Sequence, residues 1–515
     1  MFNSGNIPFV QMPDIILRPG NLEKEELVIV PLTIMEGEIC SPPFLEHYLE
    51  NKYVYNELSA YRKVCLFGTK YGNEKPLFNI CYVIPLKPCD CQNLEKCECK
   101  RAGEETVNIG IERSQKKVTL YLKDKDPVFI SKYLFFICLA SYNSGWFKSD
   151  QIIEKESIFT CQNRKILQLN LYHDHSLIAN KQIFDYWICL ARNLIYVRNL
   201  ENQPAIVANP EWMQKQAEAL IFQNKEVLTM ESIIGKDLEK NQMNLIYSTG
   251  LGCFYSPRLL NIIYKGNPSS LEIYSIIGKG ITFDTGGINL KGSGCIEDRY
   301  LDKGGACAIL GVIKGVCELK LKVNIVASII IAENCIDANS YKPGDVIKSK
   351  EGLTVEITNT TSEGRCVIAD TISYVKNKYN PTTIIDMATV SCAINIALGQ
   401  DIAGIFSNDE LLSSELYLAG KEVYENLWKM PILEGHELCT KGDLGDLSNL
   451  TPSNYSGNSC VAAAFLKKFV GNKVKWAHLD ISGVAIRMCG KGIINRGGTG
   501  FGVNTLINFF KKKSQ

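Results

Sequence analysis

Residues 271–291 read LEIYSIIGKGITFDTGGINLK, an apolar run that leads into a glycine-rich turn. The run predicts a strand buried on both faces, because consecutive apolar positions suit such a strand. A helix is predicted next over 304–319, followed by a strand, VNIVASIII, over 323–331. Strands LTVEIT and TTIIDMAT then flank a helix predicted over 366–378. This alternation indicates an α/β domain with a mixed, mainly parallel central sheet flanked by helices.

The first part of the chain is expected to form a domain of its own. The runs YRKVCLFG, TVNIGIE and KKVTLYLK are rich in β-forming residues and predict strands. Helices are predicted over 131–141 and 183–200, and the regular alternation begins near the second of them. We therefore expect an N-terminal α/β domain over residues 1–180 and a larger α/β domain over residues 181–515.

The composition is that of an ordinary folded protein. Apolar residues make up 46% of the 515 residues, which is enough for more than one core. Lys and Arg total 56 and Asp and Glu total 55, so bulk charge predicts neither a nucleic-acid nor a membrane-surface partner. No apolar run reaches the roughly 20 residues that span a bilayer. The first residues lack the basic start and apolar core of an export signal, and we expect a cytoplasmic protein.

Four cysteines stand in a polar stretch as two CxC pairs, Cys89 with Cys91 and Cys97 with Cys99. Four thiolates at this spacing could hold a zinc ion. The alternative is a cysteine-rich loop between two strands. We favour the loop, because CxC pairs are weaker zinc signals than CxxC pairs.

Acidic residues follow two of the predicted strands. Asp284 and Asp302 lie among many glycines with two lysines nearby, and Glu363 lies in the polar loop NTTSEGR over 359–365. Loops at the carboxyl ends of strands are where open α/β sheets place their sites. Such loops could bring the three acids around a cation, since carboxylates bind Mg²⁺, Mn²⁺ and also Zn²⁺. With only 5 histidines in the chain, a metal site here must be rich in carboxylates.

The literal sequence resembles the leucyl aminopeptidase family. The resemblance rests on GKGITFDTGGINLK over 278–291 and on NTTSEGR, where the family has N-T-D-A-E-G-R. Shorter matches follow the family's order: ARNL, NSYKPGDVI, DMAT, ALG, KWAHLDISGVA and TGFGV. Together they cover about residues 185–510, so chance is a poor explanation.

This resemblance implies a macro-like N-terminal domain and a catalytic domain that removes N-terminal residues from peptides with two divalent metal ions, zinc or manganese or else magnesium. By matching position, the ligands of the tighter metal site are Lys279, Asp284, Asp302 and Glu363. Asp284 and Glu363 also match ligands of the second metal. Lys291 matches the catalytic lysine, and Arg365 matches the arginine that holds a bicarbonate, the proposed carrier of the water's proton.

Four positions depart from the family. Thr361 replaces an aspartate that serves the second metal, and a neutral hydroxyl is a poor ligand beside carboxylates. Only the backbone carbonyl of residue 361 is then left to reach that ion. The resemblance places the pocket for the first substrate side chain at Arg299, Thr389 and Cys392. There Arg299 replaces a usually apolar residue and Cys392 a glycine, while Lys303 puts a positive charge beside the metal centre.

Two functions are compatible with this pattern. The first is a metal-dependent aminopeptidase with one firm and one weak metal position, in which an acidic first residue could pair with Arg299. The second is an inactive relative with a structural or binding role. The four retained ligands, with Lys291 and Arg365, favour the first. A homohexamer is expected by resemblance, and the near-neutral charge gives no support to a nucleic-acid role.

Overall fold

The computed structural model describes residues 12–19, 25–35, 38–39, 42–60, 62–67, 78–87, 97–113, 115, 117–123, 125–142, 168–173, 179–488 and 496–515. These residues fall into two compact units. One ends at Ile195, and the other comprises Tyr196–Met488 and Arg496–Gln515. The chain passes from the first unit to the second within the long helix Lys181–Glu201.

Within the described residues, the first unit is built on a seven-stranded sheet. Its strands are β1 (Asp14–Pro19), β2 (Glu25–Met35), β3 (Glu38–Ile39), β4 (Val64–Phe67), β5 (Phe78–Leu86), β6 (Lys117–Tyr121) and β7 (Gln168–His173). Its helices are α1 (Glu46–Leu49), α2 (Lys52–Ser59), α3 (Glu98–Glu112) and α4 (Pro127–Ala140). The order is β1-β7-β6-β2-β5-β4, with β3 beside β2. Only β3 and β4 are antiparallel to their neighbours in this described sheet.

The strand predicted for TVNIGIE is wrong, because this run forms the second half of α3. Its β-branched residues suggested a strand, but the buried residues Thr106, Val107, Ile109 and Gly110 recur at helical spacing. A Cβ on Gly103 would lie 2.9 Å from Phe136 Cβ, so α3 and α4 pack closely. Tertiary packing therefore overrides the local β preference.

The cysteine-rich stretch is only partly described. Cys97 is the residue before α3 and Cys99 lies in its first turn, and both are buried. These two cysteines therefore begin a helix, which differs from the predicted loop between strands. Cys89 and Cys91 lie outside the described residues, so zinc binding by the four thiols stays an untested alternative.

In the second unit, the described residues form one large mixed sheet with helices around it, a small sheet of β12, β13 and β17, and a pair of β19 and β20. The strands of the unit are β8 (Leu228–Ile234), β9 (Arg258–Lys265), β10 (Tyr274–Asp284), β11 (Asn324–Asn334), β12 (Val346–Lys348), β13 (Thr354–Glu356), β14 (Thr383–Ala388), β15 (Ile402–Ser407), β16 (Asn426–Lys429), β17 (Leu447–Ser448), β18 (Lys475–Asp480), β19 (Ile486–Arg487) and β20 (Gly497–Gly498). The large sheet has the order β16-β15-β18-β14-β10-β11-β9-β8. Its central strands, β18, β14, β10 and β11, are parallel, which confirms the predicted fold class.

Helix α5 (Lys181–Glu201) begins in the first unit and ends in the second. The helices that follow it in the second unit show the predicted alternation. They are α6 (Pro210–Gln223), α7 (Lys236–Lys240), α8 (Asn244–Thr249), α9 (Gly304–Glu318), α10 (Glu363–Tyr379), α11 (Ala393–Leu398), α12 (Glu410–Glu422), α13 (Glu434–Leu438), α14 (Asn458–Val470) and α15 (Val503–Lys513). Short 3-10 turns at Arg299–Leu301 and Thr360–Ser362 directly precede Asp302 and α10. Among the described residues, no helix is long and apolar enough to cross a membrane.

Two glycines let helices α9 and α10 approach strand β10. A Cβ on Gly305 would lie 2.8 Å from the backbone nitrogen of Lys279, and a Cβ on Gly364 would lie 3.1 Å from Lys279 Nζ. The first distance is shorter than real side-chain carbons adopt, so a larger residue at 305 would push α9 away from the sheet. The close approach brings Asp302, just before α9, and Glu363, the first residue of α10, to the same lysine.

Asp370 holds the start of a neighbouring helix in place. It is fully buried in α10, and its carboxylate accepts hydrogen bonds from the backbone N–H groups of Leu245, Ile246 and Lys350. The first two of these groups belong to the first turn of α8, where N–H groups have no partner within the helix. Burial raises the pKa of Asp370 to about 7.

Substitution Asp370→Ala is expected to lower the free energy of unfolding by about 2–4 kcal/mol, because it leaves buried N–H groups unpaired. A urea titration followed by tryptophan fluorescence measures it, since Trp476 is buried in the same unit. Asp237→Ala, which removes an exposed pair with Lys240, is the control and should leave the midpoint nearly unchanged. A wild-type midpoint for Asp370→Ala would contradict this assignment.

Candidate metal centre

Three buried carboxylates meet at the carboxyl edge of the parallel strands. One oxygen atom of each of Asp284, Asp302 and Glu363 lies within 4.8 Å of the others. The three residues are only 1–3% exposed. Asp284 ends β10, Asp302 precedes α9 and Glu363 begins α10. The sequence-predicted acids are therefore brought together from three separate segments.

Lys279 supplies a positive charge at the centre of this group. Its Nζ lies 2.7 Å from Asp302 Oδ2 and 2.8 Å from Glu363 Oε1, and it donates a hydrogen bond of 2.9 Å to the carbonyl of Thr389. Burial by itself lowers the pKa of Lys279, but the negative charges of Asp302, Glu363 and Asp284 outweigh burial and raise it above the ordinary value. The ammonium group therefore compensates the negative charges of the buried carboxylates at short range.

Asp284 also holds Lys291. Lys291 Nζ lies 2.5 Å from Asp284 Oδ2, while Asp284 Oδ1 accepts hydrogen bonds from Gly286 N and Asn334 Nδ2, both at 2.9 Å. The turn between the two residues needs glycine, since Gly286 and Gly287 have φ of +92° and +67°. The glycine-rich turn therefore folds Lys291 back onto the acid at the end of its own strand.

The donor set fits a divalent cation. Glu363 Oε2 is buried and has no hydrogen-bond partner among the described residues. Burial and the charge of Asp284 raise the pKa of Glu363 to about 7, against the attraction of Lys279 and Lys291. Carboxylates with an amine suit zinc, manganese or magnesium. Lys279 can join them as a ligand once it has lost its proton, which an incoming positive charge favours.

Arg365 provides a positive charge that could bind an anion. Its side chain is 3% exposed, yet Nε and Nη1 have no hydrogen-bond partner among the described residues. Burial lowers the pKa of this guanidinium, opposed by the charges of Cys366, Glu363 and Asp480. Unpaired donors on a buried cation fit an anion with several oxygen atoms. Arg365 lies two residues after Glu363, so such an anion would sit close to the carboxylates.

The hydroxyl of Thr361 is hydrogen-bonded to a nearby side chain. Thr361 Oγ1 donates a hydrogen bond of 2.7 Å to Asn359 Oδ1, which also accepts from Thr361 N at 2.8 Å. The Thr361 methyl group points to the glycine turn, since its Cγ2 lies 3.0 Å from where a Cβ on Gly286 would stand. The side chain therefore serves the 3-10 turn before α10.

The three residues expected in the substrate pocket differ in their surroundings. Thr389 Oγ1 donates a 2.6 Å hydrogen bond to Asp302 Oδ1, and with its carbonyl on Lys279 it orients the acidic cluster. Arg299 Nε donates to the carbonyl of Cys295 at 2.7 Å. The exposed Cys392 precedes α11.

The guanidinium of Arg299 lies within electrostatic range of the acidic cluster. It interacts with Asp302, Asp284 and the Cys392 thiol; burial alone lowers its pKa, but these groups outweigh burial and raise it. Its side chain is partly buried. A positive charge is therefore held at the margin of the three carboxylates.

The positive charge expected from Lys303 beside the metal centre is directed elsewhere. Lys303 is fully buried, and its Nζ donates hydrogen bonds to the carbonyls of Gln203, at 2.9 Å, and Tyr300. Burial lowers the pKa of Lys303 to about 8. Lys303 is therefore hydrogen-bonded away from the carboxylates, while its charge still interacts with Asp302.

Two residues that orient the site were not found from sequence. Asn334 joins Asp284 Oδ1 to the carbonyl of Thr360, at 2.9 and 3.0 Å. Thr360 Oγ1 donates a hydrogen bond to the carbonyl of Gly286 at 2.5 Å. This bond connects the 3-10 turn before α10 to the glycine-rich turn after β10. The one available signal was an asparagine directly after an apolar strand, and that is common in proteins without a site.

Comparison with known proteins identifies the family of this chain. Residues 195–507 match the profile described as "Cytosol aminopeptidase family, catalytic domain". A probable cytosol aminopeptidase of Protochlamydia amoebophila (strain UWE25) is 37% identical over 392 residues, 76% of this chain and 76% of that protein. The cytosol aminopeptidase of Rickettsia prowazekii (strain Madrid E) is 33% identical over 387 residues, 75% of each chain.

A solved structure shares the fold. The bottromycin maturation enzyme BotP, in complex with Mn, has a TM-score of 0.76 and 22% identity to this chain, and the alignment covers 95% of this chain and 100% of that one. At that identity the likeness concerns the fold alone. The sequence relatives show the family as well, because the profile matches more than half of the chain and the two relatives match it over about three quarters of their length. The chain is a divergent member of the cytosol aminopeptidase family of metal-dependent peptidases.

Proposed function

We propose that this protein removes N-terminal residues from peptides in a reaction that depends on divalent metal ions. The observation that carries the proposal is the buried group of Asp284, Asp302 and Glu363 around Lys279, with one carboxylate oxygen unpaired. The relatives named cytosol aminopeptidase support the reaction. The donor types are compatible with zinc, manganese or magnesium.

Each residue has a task that its surroundings support. Lys279, Asp284, Asp302 and Glu363 would hold the firm metal position, and Asp284 and Glu363 would also reach the second. Bound there, divalent ions would lower the pKa of the attacking water and polarise the substrate carbonyl. Lys291, oriented by Asp284 Oδ2 at 2.5 Å, is the cation that stabilises the developing oxyanion. Arg365 would hold a bicarbonate ion that accepts the proton of the water.

The second metal position is the weaker one. An aspartate at 361 would add a negative charge, whereas the Thr361 hydroxyl is neutral and donates to Asn359. Residue 361 can then offer only its backbone carbonyl, beside the carboxylates of Asp284 and Glu363. The same observation favours a second candidate function, an inactive relative with a structural or binding role.

We propose a homohexamer acting on peptides in the cytosol, in line with the family. Neither nucleic acid nor a membrane is expected as a partner, since Lys and Arg number 56 and Asp and Glu 55.

Binding of Mn²⁺ is expected to raise the melting temperature of the protein, because an ion that binds only the folded state stabilises it. Asp302→Asn should abolish most of this rise by removing a ligand charge. Asp298→Asn is the matched control, because Asp298 lies in the same segment and outside the acidic cluster. An equal rise in both variants would contradict the metal assignment.

Metal content and turnover separate the two candidate functions. After dialysis, the wild-type chain is expected to retain one ion and Thr361→Asp two, because the new carboxylate supplies the missing charged ligand. With Mn²⁺ or Zn²⁺, the wild type should release N-terminal residues from a peptide library, followed by mass spectrometry. No turnover in any divalent metal would contradict the enzyme, and activity gained only by Thr361→Asp would establish the inactive relative.

Arg299 is proposed to select an acidic first residue. Its guanidinium lies beside the Cys392 thiol and near Asp302, and its Nε is tied to Cys295. The remaining donors can pair with a carboxylate as a fork. A substrate whose amine and carbonyl are bound by the metal ions at the carboxylates would bring its first side chain to this margin.

Substitution Arg299→Met is expected to reverse the preference between Glu- and Leu-p-nitroanilide. The ratio of their kcat/KM values should change by about tenfold to a hundredfold, on the order of 1–3 kcal/mol for a charged hydrogen bond. Gln-p-nitroanilide has nearly the same shape as Glu-p-nitroanilide but no charge on its side chain, so comparing the two isolates the effect of the charge. Lys429→Met, at an exposed pair with Glu410, is the control for lost surface charge. An unchanged ratio would exclude Arg299 from selectivity.

A further inference from the structure

Two cysteines near the metal centre form a close pair. Cys253 lies in the loop after α8, and Cys335 directly follows the last residue of β11. Both are partly exposed, and the side chain of Cys253 is close enough to Cys335 to raise the pKa of its thiol. Small reagents can therefore reach a pair of sulfur atoms that are already neighbours.

The backbone keeps the two cysteines together. A Cβ on Gly252 would lie 2.5 Å from the carbonyl oxygen of Cys335 and would also collide with Ser340 Oγ. Ser340 Oγ in turn donates a 2.8 Å hydrogen bond to the Cys335 carbonyl. The two chain segments touch because residue 252 has no side chain. The path of the main chain therefore places Cys253 and Cys335 side by side.

The two sulfur atoms have different neighbours. Cys253 Sγ accepts a hydrogen bond from the backbone N–H of Tyr255 at 3.3 Å. Cys335 Sγ donates to Glu333 Oε1 at 3.1 Å. The hydrogen bond with Cys253, burial and the charge of Glu333 together raise the pKa of Cys335. Cys253 is therefore the better first nucleophile, and Cys335 has a carboxylate ready to take its proton.

We propose that Cys253 and Cys335 are a reversible disulfide site that reacts with low-molecular-mass disulfides such as glutathione disulfide. The Cys253 thiolate attacks one sulfur, a mixed disulfide forms, and the first glutathione leaves as its thiolate. Cys335 transfers its proton to Glu333 and attacks the Cys253 sulfur, and the second glutathione leaves. In total, two protein thiols are oxidised to one disulfide and one glutathione disulfide is reduced to two glutathione molecules.

Formation of this bond acts on the metal centre through Asn334. A disulfide brings its sulfur atoms to about 2.05 Å, closer than two thiols in contact, so Cys335 must shift toward Cys253. Asn334 is the adjacent residue, and its side chain holds both Asp284 Oδ1 and the carbonyl of Thr360. The oxidised protein is therefore expected to retain Mn²⁺ less firmly than the reduced protein.

The direct test is peptide mapping of the full chain after incubation with glutathione disulfide. We expect a peptide pair linked through Cys253 and Cys335, lighter by two hydrogen atoms and separated by dithiothreitol. Cys253→Ser should abolish the link, and Cys295→Ser, which removes an exposed thiol outside the pair, should leave it intact. Glu333→Gln should slow closure, so that glutathione accumulates on Cys253.

Two results would overturn the proposal. Stable glutathione adducts on either cysteine of the wild type, with no linked peptide, would show that the sulfur atoms cannot bond. Equal Mn²⁺ retention by oxidised wild type and oxidised Cys253→Ser would refute the coupling to the metal centre. The mapping does not depend on peptidase activity, so its failure is distinguishable from failure of the proposed function.

Discussion

The Lys279 ammonium group and the carboxylates of Asp302 and Glu363 form a network of charges that is 97% or more buried. Buried charges are tolerated only when they are paired at short range, because the loss of one partner leaves an uncompensated charge that costs about 3–5 kcal/mol. The distances of 2.7 and 2.8 Å meet that condition. The arrangement of β10, α9 and α10 must therefore be accurate to a fraction of an ångström, and Gly305 and Gly364 allow that approach.

A second set of hydrogen bonds holds these charges in position. Thr389 binds Asp302 and Lys279 from the end of β14, and Asn334 binds Asp284 from the end of β11. Four of these five residues lie on three neighbouring parallel strands or directly after them, and Asp302 lies on the segment before α9. Parallel strands end at the same edge of the sheet, which is why residues distant in sequence converge here. The candidate disulfide lies one residue beyond this set, so it can influence the metal centre without contacting it.

Much of the site could be predicted because its residues lie in continuous motifs. Asp284 and Lys291 belong to one turn whose glycines have positive φ, and Glu363 and Arg365 begin one helix, so local sequence carries their identity. The departures from prediction have a different origin. TVNIGIE became a helix because α3 packs on α4, and Lys303 turned to Gln203 because its side of α9 faces α5 and its following loop. Both outcomes depend on contacts between segments that are far apart in the chain.

By itself, the sequence determined the α/β class, the family, and the types of residue available for metal chemistry. Its resemblance to the family also predicted that Thr361 stands in place of an aspartate. Only the tertiary structure decided that the Thr361 hydroxyl is bound to Asn359, that Thr389 and Asn334 orient the acids, and that the charge of Arg299 acts on Asp302 and Asp284. The pairing of Cys253 with Cys335 likewise needed the structure. The reason is physical: a residue's type fixes which bonds its side chain can form, and the packing of distant segments selects which of those bonds it forms.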